Sequence, residues 1–257
     1  MKKPHSSQHG FTLLELMVVV VVLTLVMGVV FNSIAQVQQR YRTEDQRVDI
    51  TQNAREYLDQ IIRDLHQSGY PNRHLYDIAP GPPATLVAAG VVAVSATDIL
   101  FEGDVDGTGN VNSVRYTLQK NANGNCPCTL SRSSAVKLGV GGPFFTPSYT
   151  SELNNVVNST GSGTAYLIEG NAPNGTANDT MYGSLKTVPV FQYFDANNNP
   201  VVVPDDLVGG NAAAGQAVAA TVYLVQVNIN VLGPYPDARM GIRPQSAMRG
   251  VVRIGNQ

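Results

Sequence analysis

Charge is scarce in this sequence. Asp, Glu, Lys and Arg make up 14% of its 257 residues, against about 25% in ordinary soluble domains, and the formal net charge is -2. Binding to nucleic acid or to an anionic membrane surface calls for a basic patch, which this balance does not offer. Cysteine is nearly missing as well: Cys126 and Cys128, in the stretch NCPCT, are the only two. They stand outside the C-x-x-C frame of thioredoxin-like chemistry, and one pair falls short of the four ligands of a structural zinc site. In an oxidising compartment they could close a small ring, but disulfide geometry restricts so short a closure, which favours two free thiols in a loop.

Histidine is sparse and badly placed for a metal. His5 and His9 sit near the start, and His66 and His74 flank a helix end with no partner at i, i+4. The sequence contains no G-x-S-x-G, no P-loop and no H-E-x-x-H. The expectation is a protein that is not an enzyme and carries no cofactor. The stretch GDVDGTGN offers Asp104, Asp106 and Asn110 as weak calcium candidates. Counted from Asp104 in an EF-hand frame, Gly109 fits position six, but Arg115 stands where the bidentate glutamate belongs. A hairpin turn accounts for the Asp-Gly and Thr-Gly pairs without a metal, and Asp195–Asn199 reads in the same way as a turn.

What the chain does have is one long apolar run, Phe11–Phe31, behind a short basic opening that carries Lys2 and Lys3. About twenty helical residues at 1.5 Å each span the ~30 Å hydrocarbon layer. The run is longer than a signal-peptide core and no A-x-A-like cleavage site follows it. The positive-inside bias keeps the N-terminus cytoplasmic and puts the remainder outside. One residue is foreign to the run: Glu15. An ionised carboxylate at the centre of a membrane helix costs roughly 2.5–3.5 kcal/mol on insertion scales. A plain anchor gains nothing from it, unless the side chain snorkels to the membrane surface.

From Asn32 to His66 the sequence turns polar but stays periodic. Ile34, Val37, Tyr41, Val48, Ala54, Leu58, Ile61, Ile62 and Leu65 form a stripe, with Arg40, Glu44, Asp49, Arg55, Asp59 and Asp64 among the residues opposite. Ser68-Gly69-Tyr70-Pro71 ends the pattern. A single helix of about 55 residues, some 80 Å long, is too long for one small domain.

The N-terminal residues carry a resemblance. Gly10, Phe11, Thr12, Leu13, Leu14 and Glu15, directly before a spanning helix, resemble the processing segment of type IV pilins and type II secretion pseudopilins. The resemblance implies cleavage after Gly10 by a prepilin peptidase, methylation of Phe11, and retention of Glu15 as an assembly residue. A new ammonium at Phe11 of a neighbouring subunit would pair with the Glu15 carboxylate, each relieving the other's burial. NAREYLDQIIRDLHQSGYP is similar to the region after the anchor in PilW-type minor pilins, through Arg63, Asp64, Leu65, Gly69 and Tyr70. VFQYFDANNNP resembles a strand and turn of that family. QSAMRGVVRIGNQ resembles its last strand through Arg253 and Asn256, although Gly250 stands where the family has valine.

Beyond Pro71 the chain reads as strands joined by Asn/Gly/Thr/Ser-rich connections, after a breaker cluster at Pro80–Pro83. The candidates are Val91–Ser95, Asp98–Glu102, Asn112–Gln119, Thr164–Glu169, Val188–Phe194, Ala219–Val231 and Arg249–Ile254. Val114, Tyr116 and Leu118 alternate with polar residues as in a half-buried strand, and in Ala219–Val231 Tyr223, Val225, Val227, Ile229 and Val231 face one way and Gln226, Asn228 and Asn230 the other. Asn154–Gly163, Asn171–Gly183 and Pro204–Gln216 read as surface loops. The expected fold is α+β, a long transmembrane-plus-amphipathic helix on an antiparallel β-sheet head, like a pilin lollipop. Its parts would be a leader 1–10, a membrane and filament-core helix 11–31, an amphipathic continuation 32–68 and an outer domain 69–257. The implied function is that of a minor pilin of a type IV pilus or its priming complex, or else a minor pseudopilin of a type II secretion system. Its partners would be the prepilin peptidase and methylase, other major and minor pilins and the inner membrane before assembly, with no direct evidence in the sequence for nucleic acid. It would sit single-pass in the inner membrane with its outer domain periplasmic or extracellular, and in the pilus after assembly. A rival of another class is a signal-anchored binding module, which would keep Met1–Gly10 and not depend on Glu15.

Overall fold

The computed structural model describes residues 12–72, 75, 84–137, 148–159, 167–170, 177–208, 210–237 and 241–255. The chain divides into two compact units, Met1–Asp45 and Gln46–Gln257. One helix, α1, spans Leu13–His66 and belongs to both.

In the first unit α1 starts on a capping box. The Glu15 N–H donates to the Thr12 hydroxyl (3.3 Å), and the Thr12 N–H donates back to Glu15 Oε2 (3.2 Å). Two otherwise orphaned donors of the first turn are thereby satisfied. The valine run Val18–Val22 has modest helix propensity, but a helix is the form that satisfies every backbone group within one segment when the surroundings are apolar. Polar side chains in and just past the apolar run bond back to the helix: the Thr24 hydroxyl donates to the Val21 carbonyl (2.8 Å) and that of Ser33 to the Val29 carbonyl (3.0 Å).

In the second unit α1 buries Ile50, Ala54, Tyr57, Leu58, Ile61, Asp64 and Leu65, the recurrence of threes and fours that lines one helix face. Arg63 and His66 lie in the last turn, where cations suit the helix dipole. The helix ends as expected before Ser68–Pro71. Gly69 takes φ 78°, and its N–H leaves the helix to donate to the Glu102 carbonyl (2.8 Å). The stripe read from the sequence needs two corrections. Val48, which lies in this unit, is exposed, as are Ile34, Val37 and Tyr41 of the first. Asp64, expected on the polar face, is buried, because the sheet supplies its partners.

Among the described residues eight strands form one antiparallel sheet: β1 Val91–Val94, β2 Asp98–Gly103, β3 Asn112–Gln119, β4 Cys128–Val136, β5 Thr150–Val156, β6 Phe191–Phe194, β7 Leu224–Leu232 and β8 Gln245–Arg253. β1 to β5 follow in order. β8 pairs along the whole of β7, so β5 and β6 share its other edge, β6 at Leu224–Val227 and β5 at Val231. The sheet curls until β6 meets the β1–β2 turn, where the Phe191 N–H donates to the Ala96 carbonyl (3.2 Å) and the Tyr193 hydroxyl to those of Ser95 and Asp98 (3.0 Å each). α1 lies against the side that carries Val114, Tyr116, Leu130, Val225, Val227, Ile229 and Val252, all buried. Each such side chain contributes about 1.5–3 kcal/mol on burial. Gly250 lies on this side, where a Cβ would come within 2.6 Å of Ile62 Cδ1 and 3.1 Å of Leu58 Cδ1. A side chain at Gly250 would thus run into α1, and its absence lets α1 approach β8 here. Gly103 lets the chain after α1 come equally close, since a Cβ there would lie 2.4 Å from the Gln67 carbonyl oxygen.

The α+β class holds, with differences in detail. β4, β5 and four helical pieces, a 3-10 turn Ala84–Leu86, α2 Asn178–Tyr182, a 3-10 turn Gly183–Thr187 and α3 Gly210–Ala219, were not foreseen. α3 occupies much of the supposed loop Pro204–Gln216 and the start of the strand drawn from Ala219. It packs on β1 at Gly215, where a Cβ would meet the Val94 carbonyl oxygen at 2.5 Å. β5 takes in the start of the loop drawn from Asn154, and α2 the end of that drawn from Asn171. Of the strand placed at Thr164–Glu169, residues 164–166 lie outside the described set, and Ile168 forms an isolated bridge with Cys126. The cluster Pro80–Pro83, His74 and Asn256 also lie outside it. β3 is buried on both faces rather than one, Ser113 and Thr117 included. On β7 the same holds. Gln226, Asn228 and Asn230 are buried in an amide network in which Asn228 Nδ2 donates to the Pro189 carbonyl (3.1 Å), Asn230 Nδ2 to that of Leu185 (3.0 Å), and Arg249 to Gln226. Side-chain amides there do for the second face what apolar residues do for the first.

Candidate functional site

Of the residues singled out at the start of the chain, Gly10 and Phe11 lie outside the described residues. Glu15 is exposed in the first turn of α1, and Thr12 holds its carboxylate. The Thr12 hydroxyl, like the Thr12 N–H, lies 3.2 Å from Glu15 Oε2. Sequence reasoning passed over this contact, although Thr-x-x-Glu ahead of an apolar run is its signature. Every large apolar side chain from Leu13 to Phe31 is exposed, from 44% at Val30 to 77% at Leu13. α1 is long and apolar enough to cross a membrane, and none of its most apolar window is buried within the chain. An acid at the head of such a surface can accept a cationic partner from outside the chain without first breaking a buried contact.

In the second unit several buried charged groups are engaged with one another. Asp64 Oδ2 accepts from the Tyr116 hydroxyl (2.6 Å) and Arg132 Nε (2.8 Å). Burial, and then Asp64, pushes the Tyr116 hydroxyl far above its ordinary range, so it remains a proton donor rather than a nucleophile. Burial works against the Arg132 charge, but the neighbouring Asp64 outweighs it and raises that group. Glu102 Oε2 accepts from Lys137 Nζ (2.6 Å) and the Ala89 N–H (2.8 Å). Arg115, which spoiled the EF-hand frame, donates from Nε (3.0 Å) and Nη2 (2.6 Å) to Asp98 Oδ1. These are satisfied networks of the kind that fix a packing arrangement. Among the described residues no group of three or more His, Cys, Asp or Glu could hold a metal ion. Cys126 and Cys128 are joined by a disulfide and buried, rather than lying as free thiols in a loop.

The β2–β3 turn brings its candidates together. Asp104 Oδ2 accepts from the Gly109 N–H (2.9 Å). Asp106 Oδ1 accepts from the Thr108 N–H (3.1 Å) and hydroxyl (2.7 Å), which hold its carboxyl below the usual range. Asn110 Nδ2 donates to the Thr108 hydroxyl (3.4 Å). Asp195 likewise closes its turn by accepting from the Asn197 and Asn199 N–H groups (2.8 Å each).

Residues 5–31 match the family model described as the prokaryotic N-terminal methylation motif. No curated protein and no solved structure matches the chain. The motif implies processing by prepilin peptidase and assembly with other pilins, and the apolar helix behind it fits membrane anchoring. With Glu15 at the head of an unburied apolar helix, and an α+β fold consistent with a pilin-like one, the motif supports a type IV pilin- or pseudopilin-like protein of the prepilin type.

Proposed function

We propose that this chain is a minor pilin of the PilW kind, a structural subunit of a type IV pilus or its priming complex, with no enzymatic activity of its own. It is cut after Gly10, methylated at Phe11, and held in the assembly by pairing of Glu15 with the Phe11 ammonium of a neighbouring subunit. The methylation motif over residues 5–31 carries this reading. Three of the five PilW-like residues add a physical argument, because each has a structural task. Asp64 anchors Tyr116 and Arg132, Leu65 is fully buried, and Gly69 supplies the positive φ that ends α1. Mass spectrometry of the N-terminal peptide of protein purified from its native membrane tests it. A chain that starts at methylated Phe11 is the expected result, and an intact Met1–Gly10 sinks the reading. Co-purification with pilus components rather than secretion components then separates a pilin from a pseudopilin.

A further inference from the structure

We propose that the Gly103–Asn112 turn binds Ca²⁺, held by the carboxylates of Asp104 and Asp106 together with neutral oxygens of the same turn. Two acids in a turn are no site by themselves. The added observation is Asp104. The residue is 8% exposed, and its Oδ1 is buried with no hydrogen-bond partner, while Oδ2 is occupied by the Gly109 N–H. A buried carboxylate oxygen without a donor costs free energy unless a cation, a proton or water meets it. The polar interior of this turn is thus incomplete as it stands.

The surroundings suit a hard cation. The hydrogen bonds from Gly109 to Asp104 and from Thr108 to Asp106 turn both carboxylates toward the same few backbone atoms. Thr108 and Asn110 add neutral oxygens to the same turn. Arg115, the residue that counts against an EF-hand frame, lies on the opposite face of β3 from Asn112 by strand alternation and is spent on Asp98. The turn is also braced. The Asp104 N–H donates to the Tyr70 carbonyl (2.8 Å), and the Gln67 amide nitrogen, oriented toward them, donates to the carbonyls of Asp104 (3.2 Å) and Val105 (3.3 Å). Irregular oxygen sets of this kind suit Ca²⁺, which accepts six to eight ligands, better than Mg²⁺, which demands near-ideal octahedral geometry. Two carboxylates make a weak site, in the range of about 10⁻⁴–10⁻³ M found in extracellular modules.

The test is thermal melting of the full chain in detergent, followed by circular dichroism, with CaCl₂, MgCl₂ or EDTA. Calcium is expected to raise the midpoint in a saturable way within that range, and magnesium at equal concentration to raise it much less. Asp104→Asn and Asp106→Asn should each weaken the calcium response about tenfold or more through lost ligand charge. In EDTA, Asp104→Asn should melt no lower than wild type, since it removes an unpaired buried charge; this separates a lost ligand from a damaged fold. Asp195→Asn, in the other Asx turn, should leave the calcium response intact. No calcium shift at 10⁻² M, an equal shift with magnesium, a full response in Asp104→Asn, or an equal loss in Asp195→Asn would each overturn the proposal.

Discussion

The two compact units share one helix and use it in opposite ways. In Met1–Asp45 the described apolar residues all lie on the outside, and the first turn depends on a Thr–Glu capping box. In Gln46–Gln257 the helix buries its stripe against a sheet and adds a buried ion pair. The difference is where the compensating free energy comes from. The head finds it within the chain, whereas the apolar unit must find it in lipid or in other chains. Damage to one unit should therefore leave the readout of the other untouched, and each substitution below is a way to break that separation.

The largest effect is expected at Glu15. Glu15→Val relieves a burial cost and should leave membrane insertion intact, yet abolish incorporation into filaments as scored in sheared surface fractions. Glu15→Gln sharpens the point, because a glutamine keeps the capping-box acceptor but not the charge. Both variants should fail alike, with the head's melting midpoint unchanged. Normal incorporation of the Gln variant would mean that the box, and not the charge, is what Glu15 supplies.

Next comes Asp64, the mirror case. Asp64→Ala leaves the half-buried Arg132 charge without its partner and the Tyr116 hydroxyl without its acceptor. Breaking a buried pair from one side costs about 3–5 kcal/mol, enough to unfold many domains of marginal stability. Urea denaturation followed by circular dichroism should show that loss in the head, while α1's apolar part still inserts. Asp64→Ala combined with Arg132→Met should recover much of it. A double variant as unstable as the single one would show that the pair is not where the cost lies.

Several of these elements were legible in the sequence. The apolar run, its lone acid, the Ser68–Pro71 stop and the alternation of β3 and β7 are short-range signals, and they were read correctly as elements. What escaped was set by tertiary partners. Asp64 reads as a surface acid until Tyr116 and Arg132, distant in sequence, are brought under it. Gln226, Asn228 and Asn230 read as a polar face until the segment through Leu185 and Pro189 covers them. α3 was hidden by its Ala/Gly-rich composition, which looks like linker, although alanine is the best helix former. β4 was missed because its Ser131, Ser133 and Thr129 blur the period. The candidate turn was visible as a string of Asp, Thr and Asn, but not the fact that Asp104 is buried.

The smallest expected effect belongs to Thr12, and it tests the separation at its finest grain. Thr12→Val preserves shape and removes the hydroxyl that accepts from the Glu15 N–H and lies 3.2 Å from Glu15 Oε2. Loss of such a cap costs roughly 0.5–2 kcal/mol, and all of it falls on the first turn of α1. Hydrogen exchange at Leu14–Met17 should quicken, and filament incorporation should drop in part rather than vanish, because the Glu15 charge remains but swings more freely. Thr12→Ser should restore both. The head should melt as in wild type in either variant, since no hydrogen bond of the cap reaches past the first turn. A fall in the head's midpoint with Thr12→Val would mean that the two halves of α1 are energetically coupled after all.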